Sequence, residues 1–425
     1  MDIVRKILKK PQGIQTIYLY LVLGNTLATS FIWGINTIFL LDAGLNNFEA
    51  FLANAFFTLG FVIFEVPTGI IADTLGRRMS YLLGCLTLAV STALYLLMWQ
   101  IHGPFWGWAL SSILLGLGYT FFSGALEAWL VDALHATNFK GSLDGVFAKG
   151  QIIGGVAMLT GSVLGGVIAQ FSNLGIPYIL RSAVLLINFA TAFLLMKDLG
   201  FTPKKSTHYL NEMKGILKAS IDNGFRNPPV KWLMISSIFL TGVSFYIFYA
   251  LQPFLLKLYG DEKAYTIAGL IAAITAVSNI AGGITAPYIK RLFNKRTSAL
   301  LVGGIFTGVI LLLVSLTNSF WIALLLIFLW GLLFAALSPI RQAYINGIIP
   351  SNQRATVLSF DSLVGSSGGI VIQPALGKIA DIYNYSASYM VAAFIQMGSL
   401  PFIYLAKREN AKSDIVEKEK KKKNA

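Results

Sequence analysis

Residues 48–101 read FEAFLANAFFTLGFVIFEVPTGIIADTLGRRMSYLLGCLTLAVSTALYLLMWQI. Two apolar runs, 48–72 and 79–101, lie on either side of the short charged segment DTLGRR at 73–78. At a rise of about 1.5 Å per residue, each run is long enough to cross a hydrocarbon core of about 30 Å as a helix. The stretch therefore predicts two membrane-spanning helices joined by a short loop.

The rest of the chain repeats this pattern. Its 425 residues are 56% hydrophobic and only 12% charged, whereas a soluble domain carries about 25% charged residues. This composition excludes an ordinary soluble enzyme, because so few charges cannot cover a water-exposed surface. We predict an all-α membrane protein with twelve transmembrane helices, called spans 1 to 12: 14–41, 48–72, 79–101, 105–134, 144–171, 177–196, 231–256, 264–289, 298–317, 319–346, 358–380 and 387–406.

The positions of lysine and arginine predict the orientation of the spans. With the N-terminus inside, most of the 33 basic residues fall in cytoplasmic segments, and the outer loops hold only Lys257 and Lys263. Because basic residues favour the cytoplasmic side of a membrane, both termini are predicted to be cytoplasmic. The same bias explains much of the net charge of +14 and gives no support to nucleic-acid binding, since the basic residues form loop edges and not one folded face.

The spans fall into two halves of six. A shift of about 215 residues places Gly150 on Gly365 and Gly154 on Gly369, so the halves also echo each other in sequence. Such parallel repeats imply a substrate site between the halves, near the middle of the membrane. The predicted domains are an N-terminal bundle at 1–196, a cytoplasmic central loop at 197–230, a C-terminal bundle at 231–406 and a basic cytoplasmic tail at 407–425.

Within the central loop, apolar residues recur at helical spacing opposite polar ones. The apolar set is Leu210, Met213, Leu217 and Ile221. This pattern predicts an amphipathic helix that lies on the cytoplasmic leaflet. A solvated linker helix explains the pattern equally well.

The loop between spans 2 and 3 carries a motif. Residues 69–78 read GIIADTLGRR, which resembles the G-x-x-x-D-[RK]-x-G-R-[RK] signature of the major facilitator superfamily at the place where that family carries it. The twelve spans and the long central loop extend the resemblance over the whole chain. It implies the two-bundle fold of that superfamily, with a transport function. Thr74 departs from the signature, which usually has Arg or Lys there.

The resemblance implies that this motif is a conformational latch made of Gly69, Asp73, Gly76, Arg77 and Arg78. Gly69 is expected to allow close helix packing. Asp73 is expected to cap the start of span 11, and Arg77 to pair with Asp132 at the end of span 4. These contacts would hold the halves together while the protein faces outward. The alternative is that the two arginines only anchor the loop on the cytoplasmic side.

The longer string EVPTGIIADTLGRR at 65–78 resembles the E-x-P-x5-D-x3-R-R variant found in one branch of tetracycline exporters. The variant suggests export without identifying the cargo. The chain departs from proton/drug antiporters at two other positions. Ser112 stands where those proteins often have an arginine in span 4, and Ser162 stands where they have a proline in span 5.

Two carboxyl groups deep in the spans are candidate proton carriers. A charged side chain inside a membrane costs about 3 kcal/mol on insertion scales, so it needs a partner or a function. Glu65 follows i, i+4, i+8 spacing with Gly69 and Asp73, and no base in its own span neutralises it. Glu127 lies in span 4, which lines the central cavity in the resembled family. For Glu65, the alternative is a protonated side chain that is hydrogen-bonded for packing only.

Further intramembrane charges form a candidate gate. Arg341 in span 10 occupies nearly the position equivalent to Glu127, so the two are predicted to pair or to bind cargo separately. Lys149 and Asp361 are similarly equivalent, in spans 5 and 11. The alternative is a single structural salt-bridge cluster.

Aromatic and amide side chains on spans 1, 4 and 7 are candidates for a cavity that takes a flat, apolar cargo. Many other aromatics are expected to face lipid or the membrane interface. The cavity candidates are Asn25, Asn36, Tyr119, Phe122, Tyr246, Tyr249 and Gln252.

Together these observations predict a monomeric, multi-pass transporter of the bacterial inner (cell) membrane that exports amphipathic small molecules in exchange for protons. A nutrient or metabolite importer on the same scaffold is the second hypothesis, and a transport-inactive membrane sensor is the third. No catalytic residue, cofactor or metal site is predicted: the three histidines are scattered and no phosphate-binding loop is present. The expected partners are a small-molecule substrate, protons and the lipid bilayer.

Overall fold

The computed structural model describes residues 10–203, 215, 218, 221–350 and 353–416. These residues form fifteen α-helices, besides a π-helical turn at Ile221–Phe225 and a 3-10 turn at Lys412–Asp414. The α-helices are α1 (Pro11–Trp33), α2 (Asn36–Asp42), α3 (Asn47–Leu75), α4 (Arg77–Gln100), α5 (Phe105–Phe122), α6 (Ala125–Ala136), α7 (Leu143–Phe171), α8 (Gly175–Leu195), α9 (Pro228–Tyr259), α10 (Tyr265–Arg291), α11 (Arg296–Leu316), α12 (Phe320–Asn346), α13 (Arg354–Ile382), α14 (Tyr385–Met397) and α15 (Leu400–Arg408).

Eleven helical stretches in the described residues are long and apolar enough to cross a membrane. They coincide with eleven predicted spans, which confirms a helical membrane protein. Span 11 falls on α13, which has 29 residues but also carries Asp361, Lys378 and Asp381. The exact number of twelve crossings and the cytoplasmic location of the termini stay predictions.

Three predicted spans are not single continuous helices. Span 1 is interrupted at Gly34, span 4 at Ser123 and Gly124, and span 12 at Gly398 and Ser399. At the break in span 4, Gly124 adopts the left-handed conformation with φ of 66°. A left-handed residue cannot continue a right-handed helix, and glycine enters this region without the steric cost that a Cβ imposes.

By compactness the chain divides into two units, Met1–Leu210 with Gly260–Ala273, and Asn211–Tyr259 with Ile274–Ala425. In the first unit α1 packs against α7 and α8, and α3 packs against α5. A Cβ on Gly60 of α3 would lie only 2.6 Å from the carbonyl oxygen of Ile113 in α5. The absence of a side chain there lets the two backbones approach, as small residues do between membrane helices.

The start of α10 belongs to the first unit because it packs against α7. A Cβ on Gly269 of α10 would lie 2.5 Å from the carbonyl oxygen of Ser162, and the amide of Thr266 donates a hydrogen bond to Gln170. Residues Gly260–Ala273 are therefore grouped with the first compact unit, whereas the predicted domains assign them to the C-terminal bundle at 231–406. The predicted domain boundaries themselves stay a prediction.

In the second unit α9 packs against α13, and α11 packs against α12 and α14. The predicted tail at 407–425 begins as the end of α15, and its next residues fold back onto α11. Asp414 is 1% exposed and accepts hydrogen bonds from the Thr297 amide and hydroxyl, both at 2.8 Å. A carboxylate there satisfies one of the unpaired amide groups at the helix N-terminus.

Most residues of the predicted amphipathic helix in the central loop, including Leu210, Met213 and Leu217, lie outside the described residues. That prediction stays open. The described part resumes at Ile221, and Asp222 forms an ion pair with Arg226 at 2.7 Å.

Candidate functional site

Glu65 and Ser123 meet where the helical path of span 4 is interrupted. Ser123 follows the last residue of α5, and its hydroxyl donates a hydrogen bond of 2.7 Å to Oε1 of Glu65 on α3. Because the chain turns at Ser123 and Gly124, this hydroxyl points away from the helix backbone to which a mid-helix serine often bonds. The helix break thus supplies, in the described part of the chain, the polar partner of the Glu65 carboxyl group.

The second oxygen of Glu65, Oε2, is buried and has no hydrogen-bond partner among the described residues. A carboxylate with one buried and unpaired oxygen is costly, because burying charge without compensation loses hydration. A protonated carboxyl group carries no charge and can donate from that oxygen. The geometry therefore suits a group that exchanges a proton.

Glu127 has a different environment from Glu65. It lies in the first turn of α6 and is exposed. The positive end of the helix dipole favours a negative charge in the first turn of a helix. The two predicted proton carriers thus differ in burial, since Glu127 is exposed and one carboxyl oxygen of Glu65 is buried without a partner among the described residues.

The break also shapes an open depression in the first unit, with a volume of about 500 Å³. Its wall is mostly aromatic, with one hydroxyl and one carboxyl group at the helix break. The ring of Tyr119 packs edge-on against Phe57, with ring centroids 5.7 Å apart. The lining residues are Phe57, Phe61, Tyr119, Phe122, Ser123, Gly124 and Glu127.

Two further predicted cavity residues lie in the first unit. Asn25 on α1 has a buried Oδ1 atom without a partner in the described part of the chain. Asn36 has partners of its own, since its amide donates to Asn54 and its oxygen accepts a hydrogen bond from Tyr178, both at 3.1 Å. Asn36 is thus tied into the packing of α2, α3 and α8.

In the predicted latch, Arg77 at the start of α4 pairs with Asp73 near the end of α3, at 2.6 Å. The described residues contain no ion pair between Arg77 and Asp132, and a Cβ on Gly69 would meet no atom within 4 Å. The close packing expected at Gly69 is therefore not present, because this face of α3 is exposed. The latch role of these residues stays a prediction.

Gly76 and Arg78 have a partner that the motif does not contain. Gly76 has a φ of 104°, and a Cβ there would clash with the carboxyl group of Asp198. Asp198 accepts a 2.9 Å hydrogen bond from the Arg78 amide in the first turn of α4, and the Arg78 side chain donates to the Phe193 carbonyl at 2.8 Å. The loop is thus fastened to the segment that follows α8.

In the second unit Arg341 and Asp361 form a bidentate ion pair with two contacts of 2.6 Å. Arg341 also donates to the Leu233 carbonyl at 3.1 Å. It lines a cavity of about 180 Å³ whose polar surface comes from hydroxyl groups. The predicted pairing of Arg341 with Glu127 stays a prediction. The hydroxyl residues of this cavity are Ser236, Ser237, Thr241, Thr307 and Ser338.

The remaining predicted site residues take different positions. Lys149 on α7 is exposed. Tyr246 and Gln252 on α9 are 0% and 4% exposed, and the hydroxyl groups of Tyr246 and Ser388 are 2.6 Å apart. Tyr249 packs against Phe248 with ring centroids 4.9 Å apart. Tyr246 and Gln252 therefore lie inside the helix packing of the second unit in this structure.

Three polar residues of the first unit were not identified as site residues from the sequence: Ser123, Arg181 and Asp198. Ser123 is directly followed by Gly124, and Asp198 lies two residues before Gly200; a short polar residue close to a glycine is a signal for a helix end. Arg181 of α8 is 1% exposed and donates to the Tyr119 hydroxyl at 3.2 Å. An intramembrane arginine is itself a signal of function. No group of three or more potential metal ligands occurs in the described residues.

Comparison with known proteins places these features in a family. The family profile described as Major Facilitator Superfamily matches residues 19–372 and 266–425. Multidrug resistance protein 2 of Bacillus subtilis (strain 168) is 26% identical over 344 residues, which cover 77% of this chain and 78% of that protein. Quinolone resistance protein NorA of Staphylococcus aureus (strain MSSA476) is 23% identical over 383 residues, covering 88% and 92%.

Among solved structures, the crystal structure of the nucleoside transporter NupG matches with a TM-score of 0.76. The match covers 93% of this chain and 98% of that one at 13% identity. A likeness at this identity shows a shared fold and carries no information on cargo.

Proposed function

The chain belongs to the Major Facilitator Superfamily, and from this premise we propose that it is a secondary active transporter that exports amphipathic small molecules in exchange for protons by alternating access. The single observation that carries the proposal is the Glu65 carboxyl group, which is bound through one oxygen by Ser123 and whose other oxygen is buried with no partner among the described residues. The relatives named for multidrug and quinolone resistance support export.

In the proposed mechanism, cargo and proton are coupled through Ser123. Ser123 both donates to Glu65 and lines the aromatic depression. Cargo that binds the Ser123 hydroxyl takes this hydrogen-bond donor away from Glu65. Protonation neutralises Glu65, so the carboxyl group no longer depends on the hydrogen bond from Ser123, which becomes available to cargo. Proton and cargo therefore each bind more tightly when the hydrogen bond between Ser123 and Glu65 is broken or not required. This difference in affinity supplies the free energy that couples them.

The energy available is sufficient for useful export. One elementary charge that crosses about 100 mV releases about 2.3 kcal/mol. At about 1.4 kcal/mol per tenfold, this supports a cargo gradient of roughly 50-fold. A single titrating carboxyl group therefore meets the requirement.

Further parts of the proposal concern the setting of the protein. We place it as a monomer in the bacterial inner membrane with cytoplasmic termini, and we assign the loop of Asp73, Gly76, Arg77 and Arg78 as the latch. The positive-inside distribution of basic residues supports this orientation.

The test is transport by purified protein in proteoliposomes that are loaded with a lipophilic fluorescent dye. An imposed pH gradient should drive dye transport against its concentration gradient, and a protonophore should abolish this. Dye movement that is independent of the pH gradient but follows a sodium gradient would reject proton coupling.

The second candidate is import of a hydroxyl-rich metabolite. The observation in its favour is the cavity of the second unit, whose polar surface consists of Ser, Thr and the Arg341 side chain. Uptake of labelled nucleosides or sugars into the same proteoliposomes distinguishes the two. Saturable uptake of such a compound, with no dye export, would favour the importer.

A further inference from the structure

Arg181 is a buried charge without an acidic partner among the described residues. It lies on α8 and is 1% exposed. Its Nε donates to the Thr92 hydroxyl at 3.1 Å, and its Nη1 donates to the Ala28 carbonyl and the Tyr119 hydroxyl, both at 3.2 Å. Its Nη2 has no partner in the described chain. All of these acceptors are neutral, so the positive charge is not balanced by them.

A chain of hydrogen bonds runs from Arg181 through the hydroxyl of Tyr119, which lines the depression, to Thr29 and the Asn25 carbonyl. Thr29 donates to the Asn25 carbonyl at 3.0 Å, so its oxygen is left to accept from the Tyr119 hydroxyl at 3.1 Å. Tyr119 in turn accepts from Arg181. Every hydrogen in the chain therefore points away from the arginine, and hydrogen bonds aligned in this way polarise one another.

An arginine cannot lose its proton at physiological pH, so it cannot escape the cost of burial by becoming neutral. A buried cation is retained where a counter-charge is supplied in function. Tyr119 separates Arg181 from the depression and contributes its ring to the wall. The ring of Phe57 continues the same wall as an apolar surface.

We propose that the depression of the first unit selects cargo with an acidic group, which accepts a hydrogen bond from the Tyr119 hydroxyl in place of Thr29 and is stabilised by the charge of Arg181. The rest of the cargo packs on the aromatic wall. The class is thus an amphipathic organic acid, such as an aromatic or long-chain carboxylate. Arg181 and Tyr119 are specificity-determining residues. The inference rests on the proposed transport function and names the substrate class of the same site.

The test measures binding and requires no coupling. The purified protein is incubated with 11-(dansylamino)undecanoic acid or its methyl ester, and the two dissociation constants are compared by equilibrium dialysis. Because a charged hydrogen-bond acceptor gains more than a neutral one, the wild type should bind the acid about tenfold more tightly than the ester, or more. Equal affinities in the wild type would overturn the proposal.

The variants separate selectivity from packing. Arg181→Met should lose the preference for the acid while leaving the ester affinity within about twofold. Arg181→Lys should keep part of the preference, and Tyr119→Phe, which removes only the hydroxyl, should reduce it. Lys140→Met removes an exposed positive charge from the same unit and should leave the ratio unchanged.

A uniform loss of acid and ester binding in Arg181→Met would assign the arginine to helix packing only. If Arg181→Met does not fold, Tyr119→Phe and the wild-type preference decide the question. A preference for the acid without pH-driven transport would reject the proposed coupling and leave this inference standing. If pH-driven transport is observed but acid and ester bind equally, this inference is rejected and the proposed coupling stands.

Discussion

Removal of Arg341 should destabilise the second unit by leaving Asp361 without its counter-charge. The side chains of the two residues are only 17% and 8% exposed, and they share two hydrogen bonds of 2.6 Å. Breaking a buried ion pair by removing one partner costs about 3–5 kcal/mol, because the remaining charge is uncompensated. For a unit of about 200 residues, this corresponds to a fall in Tm of roughly 6–20 °C.

The exposed pair Asp222–Arg226 provides a matched control. Its contact of 2.7 Å has nearly the same length, but its side chains are 36% and 75% exposed. An exposed ion pair contributes about 0–1 kcal/mol. Arg226→Met should therefore change the Tm by no more than about 4 °C.

The assay is thermal unfolding of the purified protein in detergent for Arg341→Met, Asp361→Leu and the double variant. The double variant should recover most of the stability that either single variant loses, because no buried charge remains. Additive losses, or an Arg341→Met variant as stable as Arg226→Met, would refute the view that the pair is a coupled buried interaction.

Two further predictions concern the helix break and the C-terminal segment. Gly124→Ala should lower stability by about 1–2 kcal/mol, because φ is 66° at this position even though there is space for a Cβ. Gly155→Ala is the control: Gly155 lies in a regular helix with space for a Cβ, so this change should be neutral or stabilising. Equal Tm changes would contradict the conformational argument. Asp414→Ala should cost about 1–2 kcal/mol and expose the segment to proteolysis, because both of its bonds to Thr297 are lost. An unchanged digestion rate would show that this contact does not hold the segment.

The spans could be predicted from sequence because each requires only a long apolar run. The apolar stretch Phe105–Ala136 illustrates the limit of that signal. Apolar residues on both sides of Ser123 and Gly124 make the run continuous in hydropathy, while the left-handed Gly124 divides it into two helices. Glycine tolerates both helical and left-handed conformations, so its identity alone does not locate a break.

The candidate site was predicted in part. Glu65 stands out because a carboxyl group is rare among apolar residues. Two of the predicted cavity residues, Tyr119 and Phe122, line the depression of the first unit, and their contact with cargo stays a prediction. Partners were harder to predict, because side chains distant in sequence meet only through packing. In the structure Arg341 is bound by Asp361, whereas its pairing with Glu127, or its separate binding of cargo, stays a prediction.

The same limit applies to the loop between spans 2 and 3. The motif at 69–78 gave the residues of that loop but not Asp198, which lies 120 positions from Arg78 in the chain. Arg181 was visible as an intramembrane charge, but only the structure shows that its hydrogen bonds go to neutral groups.

The most direct test of the central claim is transport by Glu65→Gln in proteoliposomes under an imposed gradient of one pH unit. Glutamine keeps the size and can still accept from Ser123, but it cannot bind and release a proton. With one proton exchanged per cargo molecule, a gradient of one pH unit supports about a tenfold accumulation of cargo in the wild type. We predict that Glu65→Gln loses this accumulation. Downhill exchange of labelled cargo should remain measurable, and Glu65→Asp should retain part of the uphill transport. Full uphill accumulation by Glu65→Gln would contradict the claim that Glu65 carries the proton.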